Sequence, residues 1–249
     1  MKNITFEKLD ELDYRARESY KALRTNIQFL GDDIKVVSFT SASPNEGKST
    51  VSFELAKTFA DDDKKILYVD ADIRKSVLIS RRSVDGEVVG LTHFLAGQRK
   101  LDDVIYNSNV DNLDIIFTGQ TAPNPTELLG NSRFAELIAY GKENYDYVFI
   151  DCPPLGAVID AAIVAKQCDG AIIVIAAETI SYKMEQKVKS QLDKSGVRIL
   201  GTIMNKVEVV SKAYGKYYGK YYGKYYGKYG AYGSYGNYGN YGEEADSQS

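Results

Sequence analysis

Between residues 36 and 206, short apolar runs alternate with segments of helical period, the pattern of buried strands joined by crossover helices. The runs at 36–39, 66–69, 113–117, 147–150, 171–175 and 199–204 are too continuously apolar for half-exposed strands, so they predict a sheet covered on both faces. Val51, Leu55 and Phe59 recur every four residues and predict a helix over 49–60. A second helix is expected over 183–194, ending before Gly196 as a C-terminal cap requires. The expected fold is α/β, with a mostly parallel sheet and ligands at the C-terminal ends of its strands.

Two flanks depart from this pattern. Residues 13–30 predict an amphipathic helix, with Tyr20, Leu23, Ile27 and Leu30 at helical spacing and Arg17, Glu18, Lys21 and Arg24 elsewhere on its surface. From Ser211 onward no aliphatic residue exceeds alanine, and twelve of the 20 tyrosines are interleaved there with glycine and lysine. Ordering such a segment costs ~1–2 kcal/mol of backbone entropy per residue with nothing aliphatic to bury, so a disordered Tyr/Gly-rich C-terminal tail is expected. The expected organisation is an N-terminal segment over 1–30, an α/β domain over 31–210 and a tail over 211–249.

Composition narrows the field by exclusion. A net charge of −3 with 26% charged residues offers no electrostatic argument for nucleic acid or an anionic membrane surface. The longest uncharged apolar run, 170–177, falls far short of the ~20 residues a membrane span needs, and the charged N-terminus lacks a leader pattern, so a cytoplasmic location is expected. Cys152 and Cys168 lie in apolar context without metal-ligand spacing and are expected to be inert core thiols; His93 is expected on a helix surface.

Chemistry enters at residues 40–50, T-S-A-S-P-N-E-G-K-S-T, where a strand end runs through a loop into a helix. Backbone N–H groups of such a loop point at phosphate oxygens, Lys48 supplies charge to the β and γ phosphates, and Ser49 offers a hydroxyl to Mg²⁺. Ser43, Pro44, Asn45, Glu46, Gly47, Lys48, Ser49 and Thr50 are therefore the candidate ATP-binding residues. Ala42 stands at the first glycine position of the P-loop pattern, which alanine can fill if the backbone there avoids positive φ.

Two further strands end in carboxylates: 66–74 reads I-L-Y-V-D-A-D-I-R and 147–154 reads Y-V-F-I-D-C-P-P, where the prolines stop the strand and hold Asp151 at the rim. Any one strand-end aspartate is commonly just a turn or helix cap. Asp70, Asp72 and Asp151 together would repel one another, and a bound Mg²⁺ explains the grouping, with Ser49 completing the candidate metal set. The fold expectation sharpens to a P-loop NTPase-like sheet with ATP and Mg²⁺ as cofactors. If a tyrosine hydroxyl of the tail attacks phosphorus, it needs proton removal or strong orientation, and an aspartate can accept that proton; Asp70 is then the candidate base, with Lys48, Asp72 and Arg74 the other catalytic candidates, Arg74 either assisting or anchoring the loop.

With S-A-S-P-N-E-G-K-S, V-D-A-D-I-R, F-I-D-C-P-P and the tyrosine cluster all in place, the chain resembles the bacterial tyrosine kinases of capsule and exopolysaccharide synthesis, in their stand-alone cytoplasmic Gram-positive form. Weaker echoes are Gly90-Leu91, Pro123-Asn124-Pro125 with Glu127-Leu128-Leu129, and Asp160-Ala161. The resemblance implies ATP-dependent autophosphorylation of Tyr214, Tyr217, Tyr218, Tyr221, Tyr222, Tyr225, Tyr226, Tyr229, Tyr232, Tyr235, Tyr238 and Tyr241, and adenine contact at Asn205. It further implies a ring-like homo-oligomer joined through Glu18, Lys21 and Arg24, where lysine replaces the family's middle arginine and loses its planar two-pronged donor. The implied partners are a membrane-spanning chain-length regulator, which would hold the protein at the inner face of the membrane, and a phosphotyrosine phosphatase. Two other readings stay open: a positioning or partitioning ATPase, whose signature lysine is Ser43 here, and an ATP-dependent scaffold with an adhesive tail.

Overall fold

The computed structural model describes residues 2–6, 9, 11–75, 88–178 and 182–207. The expected tail and its twelve tyrosines lie outside these described residues.

In chain order the elements are β1 (Lys2–Ile4), α1 (Tyr14–Gln28), β2 (Val36–Ser41), α2 (Lys48–Ala60), β3 (Ile66–Asp70), α3 (Leu91–Leu95), β4 (Ile105–Ser108), β5 (Leu113–Ile116), α4 (Pro125–Leu129), α5 (Ser132–Asn144), β6 (Tyr147–Asp151), α6 (Asp160–Ala165), β7 (Gly170–Ala176), α7 (Tyr182–Lys194) and β8 (Ile199–Asn205). The strands form one sheet in the order β1-β4-β5-β3-β6-β2-β7-β8. Every pairing is parallel except β4 with β5. This is the mostly parallel P-loop NTPase-like sheet expected from the apolar runs, each of which is a strand.

Alternation along these strands feeds two cores. Val37 and Phe39, Ile66 and Tyr68, Phe149, and Ile172 and Val174 point to one face, where Ile27 of α1 and Phe53, Leu55 and Phe59 of α2 cover them. Their neighbours Val36, Leu67, Val69, Val148, Ile150, Ala171 and Ile173 point to the other, under Phe134 and Leu137 of α5, Val164 of α6 and Val188 and Leu192 of α7. Because both faces are buried, the central strands β2, β3, β5, β6 and β7 lose period-2 polarity and read as apolar runs. The run at 199–204 departs from the expectation: β8 lies at the sheet edge, only Ile203 is buried and Met204 is 62% exposed.

Two strands gave no such signal. β4 is four residues long and half polar, and β1 is an edge strand of three. β1 joins the sheet through register pairs from Lys2↔Tyr106 to Ile4↔Ser108. Just beyond it Phe6, 3% exposed, packs its ring 5.4 Å from Phe53 in an edge-to-face contact. Burial of this kind contributes about 1.5–3 kcal/mol. α1 begins where Asp13 caps it by accepting from Ala16 N at 2.7 Å, and it lies against α2. There Arg24 Nη1 donates to Thr58 O at 3.0 Å and stands 3.3 Å from Asp62.

Both cysteines are free thiols, and burial raises the pKa of each, that of Cys168 to about 12. His93 is half-buried, and its Nδ1 accepts from Gly90 N at 3.1 Å at the start of α3. Among the described residues no helix is long and apolar enough to cross a membrane.

Candidate active site

The loop between β2 and α2 turns through two left-handed residues, Asn45 at φ 65° and Gly47 at φ 90°. Ala42 is not among the positive-φ positions of the described residues, so its β-carbon costs no strain and alanine fits where the P-loop pattern has glycine. At Gly47 a side chain is excluded twice over, by φ and because a β-carbon would come within 2.1 Å of Asn205 Nδ2.

The loop is braced from inside. Glu46 is 1% exposed; its Oε2 accepts from Ser43 N at 2.7 Å and its Oε1 from Ala176 N at 3.2 Å. Asn205 Nδ2 donates to Glu46 O at 2.9 Å, and Lys206 Nζ to Asn45 O at 2.6 Å. The Glu46 carboxylate and the Ser43 amide therefore engage each other, and these two candidate ATP-binding residues shape the loop. Asn205, expected at adenine, is bonded to the loop backbone beside Gly47.

At the head of α2, Lys48 Nζ stands 3.5 Å from Asp72 Oδ2, 3.6 Å from Asp151 Oδ1 and 3.3 Å from Ser49 Oγ. Asp70 and Asp151 are register partners at the ends of β3 and β6 and are each 2% exposed, while Lys48 and Asp72 are each 8% exposed. Burial alone would push the Lys48 ammonium toward neutrality, but the attraction of Asp151, Asp72 and Asp70 outweighs it and raises its pKa. Burial, reinforced by Asp151 and opposed by Lys48, raises Asp70 well above the usual carboxylate range. Burial also raises Asp151, against Lys48 and the Ser49 hydroxyl.

Three shielded carboxylates against one ammonium leave this corner short of positive charge, and Asp151 Oδ1 is shielded without a hydrogen-bond donor. A hard cation with oxygen ligands fits that deficit. Among the described residues no three acidic, His or Cys side chains converge into a full metal cage. Mg²⁺ generally keeps several waters and takes only one or two carboxylates beside phosphate oxygens.

Arg74 is committed elsewhere. Its Nε donates to Asp160 Oδ2 at 2.6 Å and its Nη2 to Asp160 Oδ1 at 3.0 Å, with Thr126 Oγ1 3.2 Å away. Its guanidinium is thus engaged by Asp160 and Thr126. In the sequence Asp160 stood out only as part of a weak echo with no chemistry attached, and Thr126, between two such echo segments, carried no signal. Glu18 and Lys21 form an exposed pair at 2.8 Å, whereas Arg24 is held against α2. The open groove lined by Phe94, Arg99, Lys100, Arg133 and Tyr140 shares no residue with this site.

A family model described as an AAA domain matches residues 34–197. The chain is 42% identical over 201 residues to Tyrosine-protein kinase CpsD of Streptococcus agalactiae serotype III (strain NEM316), covering 81% of this chain and 87% of that protein. Among solved structures, the kinase domain of Escherichia coli tyrosine kinase ETK aligns with a TM-score of 0.77 at 34% identity, over 86% of this chain and 85% of that one. The septum site-determining protein MinD of Pyrococcus horikoshii, complexed with Mg-ADP, aligns with a TM-score of 0.59 at 28% identity, over 70% and 72% of the two chains. The positioning ATPases are thus relatives in fold at a greater distance, and the agreement with the kinases extends over nearly the whole described body. On that agreement in sequence and in structure, the chain belongs to the bacterial tyrosine kinases of capsule and exopolysaccharide synthesis.

Proposed function

We propose that the chain transfers the γ-phosphoryl group of ATP to the tyrosines after residue 213, one protomer modifying another. The observation that carries this reading is the placement of Lys48 between Asp72 and Asp151 at the head of α2, with the shielded Asp70 beside them. Mg²⁺-ATP, when bound, supplies the phosphoryl group and charge neutralisation across its phosphates. The chain's own groups do the rest. The α2 N-terminus and the loop amides orient the phosphates, and Lys48 balances charge on the transferred group. Asp72 and Asp151, with Ser49, hold the cation directly or through water. Asp70 accepts the tyrosine O–H proton as the new O–P bond forms and the bond to ADP breaks; burial, which raises its pKa, makes it a stronger base than an exposed carboxylate.

The acceptors are Tyr214 through Tyr241, where lysine and glycine flank the hydroxyls. Assembly through the face bearing Glu18 and Lys21 supports transfer between protomers, with Arg24 serving first to dock α1 on α2. A membrane-spanning chain-length regulator would hold the kinase at the inner face of the membrane, and a phosphatase would reset the tail.

The test is a mixing experiment followed by mass spectrometry. A Lys48→Met chain with its tyrosines intact should gain phosphotyrosine in Mg²⁺-ATP only when mixed with an active chain whose twelve tail tyrosines are phenylalanine. Phosphate release without any phosphotyrosine would return the chain to the ATPase reading.

A further inference from the structure

The turn that carries Asp72 out of β3 is held by the buried side chains of Ala71 and Ile73 and by local hydrogen bonds, Asp72 N to Asp70 Oδ1 and Lys75 N to Asp72 Oδ1, each at 3.3 Å. Lys75 N donates to Asp72 O at 3.1 Å, and Ala71 N donates across the sheet to Asp151 O at 2.9 Å. Its polar link to the start of α6 is the side chain of Arg74. The guanidinium presents Nε and Nη2 as a fork to the two oxygens of Asp160, at 2.6 and 3.0 Å. Thr126 Oγ1 closes the triangle, accepting from Arg74 Nη2 at 3.2 Å and donating to Asp160 Oδ1 at 2.9 Å. A two-pronged guanidinium–carboxylate pair fixes orientation as well as distance, which a lysine cannot do.

The exposure of the partners is unequal. The Arg74 side chain is 39% exposed, but the Asp160 side chain is at 0%. Shielding a carboxylate completely in order to bind a part-exposed arginine is a poor source of stability, because desolvation offsets most of the attraction. It does specify geometry. Asp160 opens α6, reached through residues 152–159 from Asp151, so the pair ties the exit of β3 to the exit of β6. Those are the two strand ends whose carboxylates, Asp72 and Asp151, flank Lys48 at 3.5 and 3.6 Å.

We propose that Asp160 and Thr126 are positioning residues of the kinase site: through Arg74 they hold the Asp72 turn in the register that spaces Asp72 from Asp151 for Mg²⁺. The inference rests on the metal role proposed above for Asp72. It assigns Arg74 to the support of the metal ligands.

The test reads Mg²⁺ directly. ADP binding to the full chain is measured by calorimetry across a Mg²⁺ titration, alongside melting temperature, for Thr126→Val, Asp160→Asn, Arg74→Lys, the double variant Arg74→Met/Asp160→Asn, and Asp72→Ala as reference. Removing an outer-shell partner of a metal ligand weakens metal affinity by about 10–100-fold. Asp160→Asn and Arg74→Lys should raise the half-saturating Mg²⁺ concentration by about tenfold, with Mg²⁺-free ADP binding unchanged. The double variant, which leaves no buried charge unpaired, should be no worse than Asp160→Asn. Thr126→Val preserves volume and fold and should shift the midpoint in the same direction by less. At saturating Mg²⁺ the KM for ATP should return to the wild-type value while kcat stays reduced. A lowered melting temperature with an unmoved Mg²⁺ midpoint in both Thr126→Val and Asp160→Asn would make the triangle a structural brace and overturn the proposal. If Asp72→Ala itself leaves the midpoint in place, the metal role of Asp72 fails, and this inference with it; if only Asp72→Ala moves it, the positioning role alone fails.

Discussion

Asp70 and Asp151 face each other as register partners across the parallel β3–β6 pair, two carboxylates each 2% exposed at adjacent strand ends. Parallel neighbours lie about 4.8 Å apart, so two full negative charges there are costly without a cation between or beside them. Lys48 supplies one positive charge from the next element, and the remainder is what Mg²⁺ contributes in the proposed reaction.

Lys48 and Asp70 should therefore fail in different ways. Lys48→Met is expected to lower phosphotyrosine formation by about 10²–10³-fold or more and to weaken Mg²⁺-ATP binding, because the ammonium meets phosphate in both the ground and the transition state. Asp70→Asn is expected to lower kcat by about 10²–10⁴-fold with ADP affinity within a few-fold of wild type. Single-turnover transfer and equilibrium binding on the same preparations separate the two. Equal loss of binding and rate in Asp70→Asn would make Asp70 chiefly a metal ligand.

Gly47 carries two constraints that can be dissected. Gly47→Ala places a β-carbon at φ 90° and 2.1 Å from Asn205 Nδ2, so the loop must move or the Asn205–Glu46 bond must break. Left-handed backbone costs a non-glycine residue roughly 1–2 kcal/mol, so nucleotide affinity should fall at least about tenfold. Gly47→Ala/Asn205→Ala should recover only part of it, since the clash is relieved and the φ strain is not. Titration with a fluorescent nucleotide measures both; wild-type affinity in Gly47→Ala would remove the loop geometry from the argument.

Glu46 offers a nearly isosteric test of the internal brace. Both carboxylate oxygens accept backbone N–H bonds, from Ser43 and Ala176, and glutamine has only one oxygen to give. In Glu46→Gln an NH₂ group must oppose one of those donors in a shielded site, which costs on the order of 1–3 kcal/mol. The expectation is a lower melting temperature together with weaker Mg²⁺-ADP binding. An unchanged melting curve would show that the loop holds its shape without the brace.

Asp169 gives the pH dependence. Its Oδ2 accepts from Lys35 N at 3.0 Å and Val36 N at 2.8 Å, and its Oδ1 pairs with Lys142, pinning the start of β2 beside β7. Burial alone would raise its pKa; Lys142 and the two amides outweigh burial and lower it below the usual value. With the folded pKa below the unfolded one, this contribution to stability is complete above the ordinary aspartate pKa of ~3.9 and is lost as pH falls through the lowered value. Asp169→Asn should thus be less stable than wild type by on the order of 1–2 kcal/mol at pH 7, and the gap should close in denaturation curves taken well below pH ~3.9. A gap that stays constant down to acid would assign the effect to packing.

What the sequence determined is what local pattern can carry. Strands buried on both faces read as apolar runs, so β2, β3, β5, β6 and β7 were legible from the pattern along the chain, and the run at β8 was legible although that strand lies at the sheet edge with only Ile203 buried; β1 and β4 were not, because short strands with polar residues leave no run to read. The loop before Lys48 and the aspartates ending β3 and β6 were legible for the same reason: each is defined by its place at the end of an apolar strand. Contacts between distant segments had no such trace. Glu46 meets Asn205 across 159 positions and Arg74 meets Asp160 across 86, and their function follows from the partner rather than from the residue type. Only the strand order, which places β6 between β3 and β2 and β8 beyond β7, brings those partners within hydrogen-bonding distance. The tertiary structure therefore decided that Glu46 bonds Ser43 of its own loop and Ala176 of β7, that Arg74 pairs with Asp160, and that Arg24 meets Thr58 and Asp62 at the end of α2, since a charged side chain takes its partners from whichever opposite charge or backbone group the fold sets beside it.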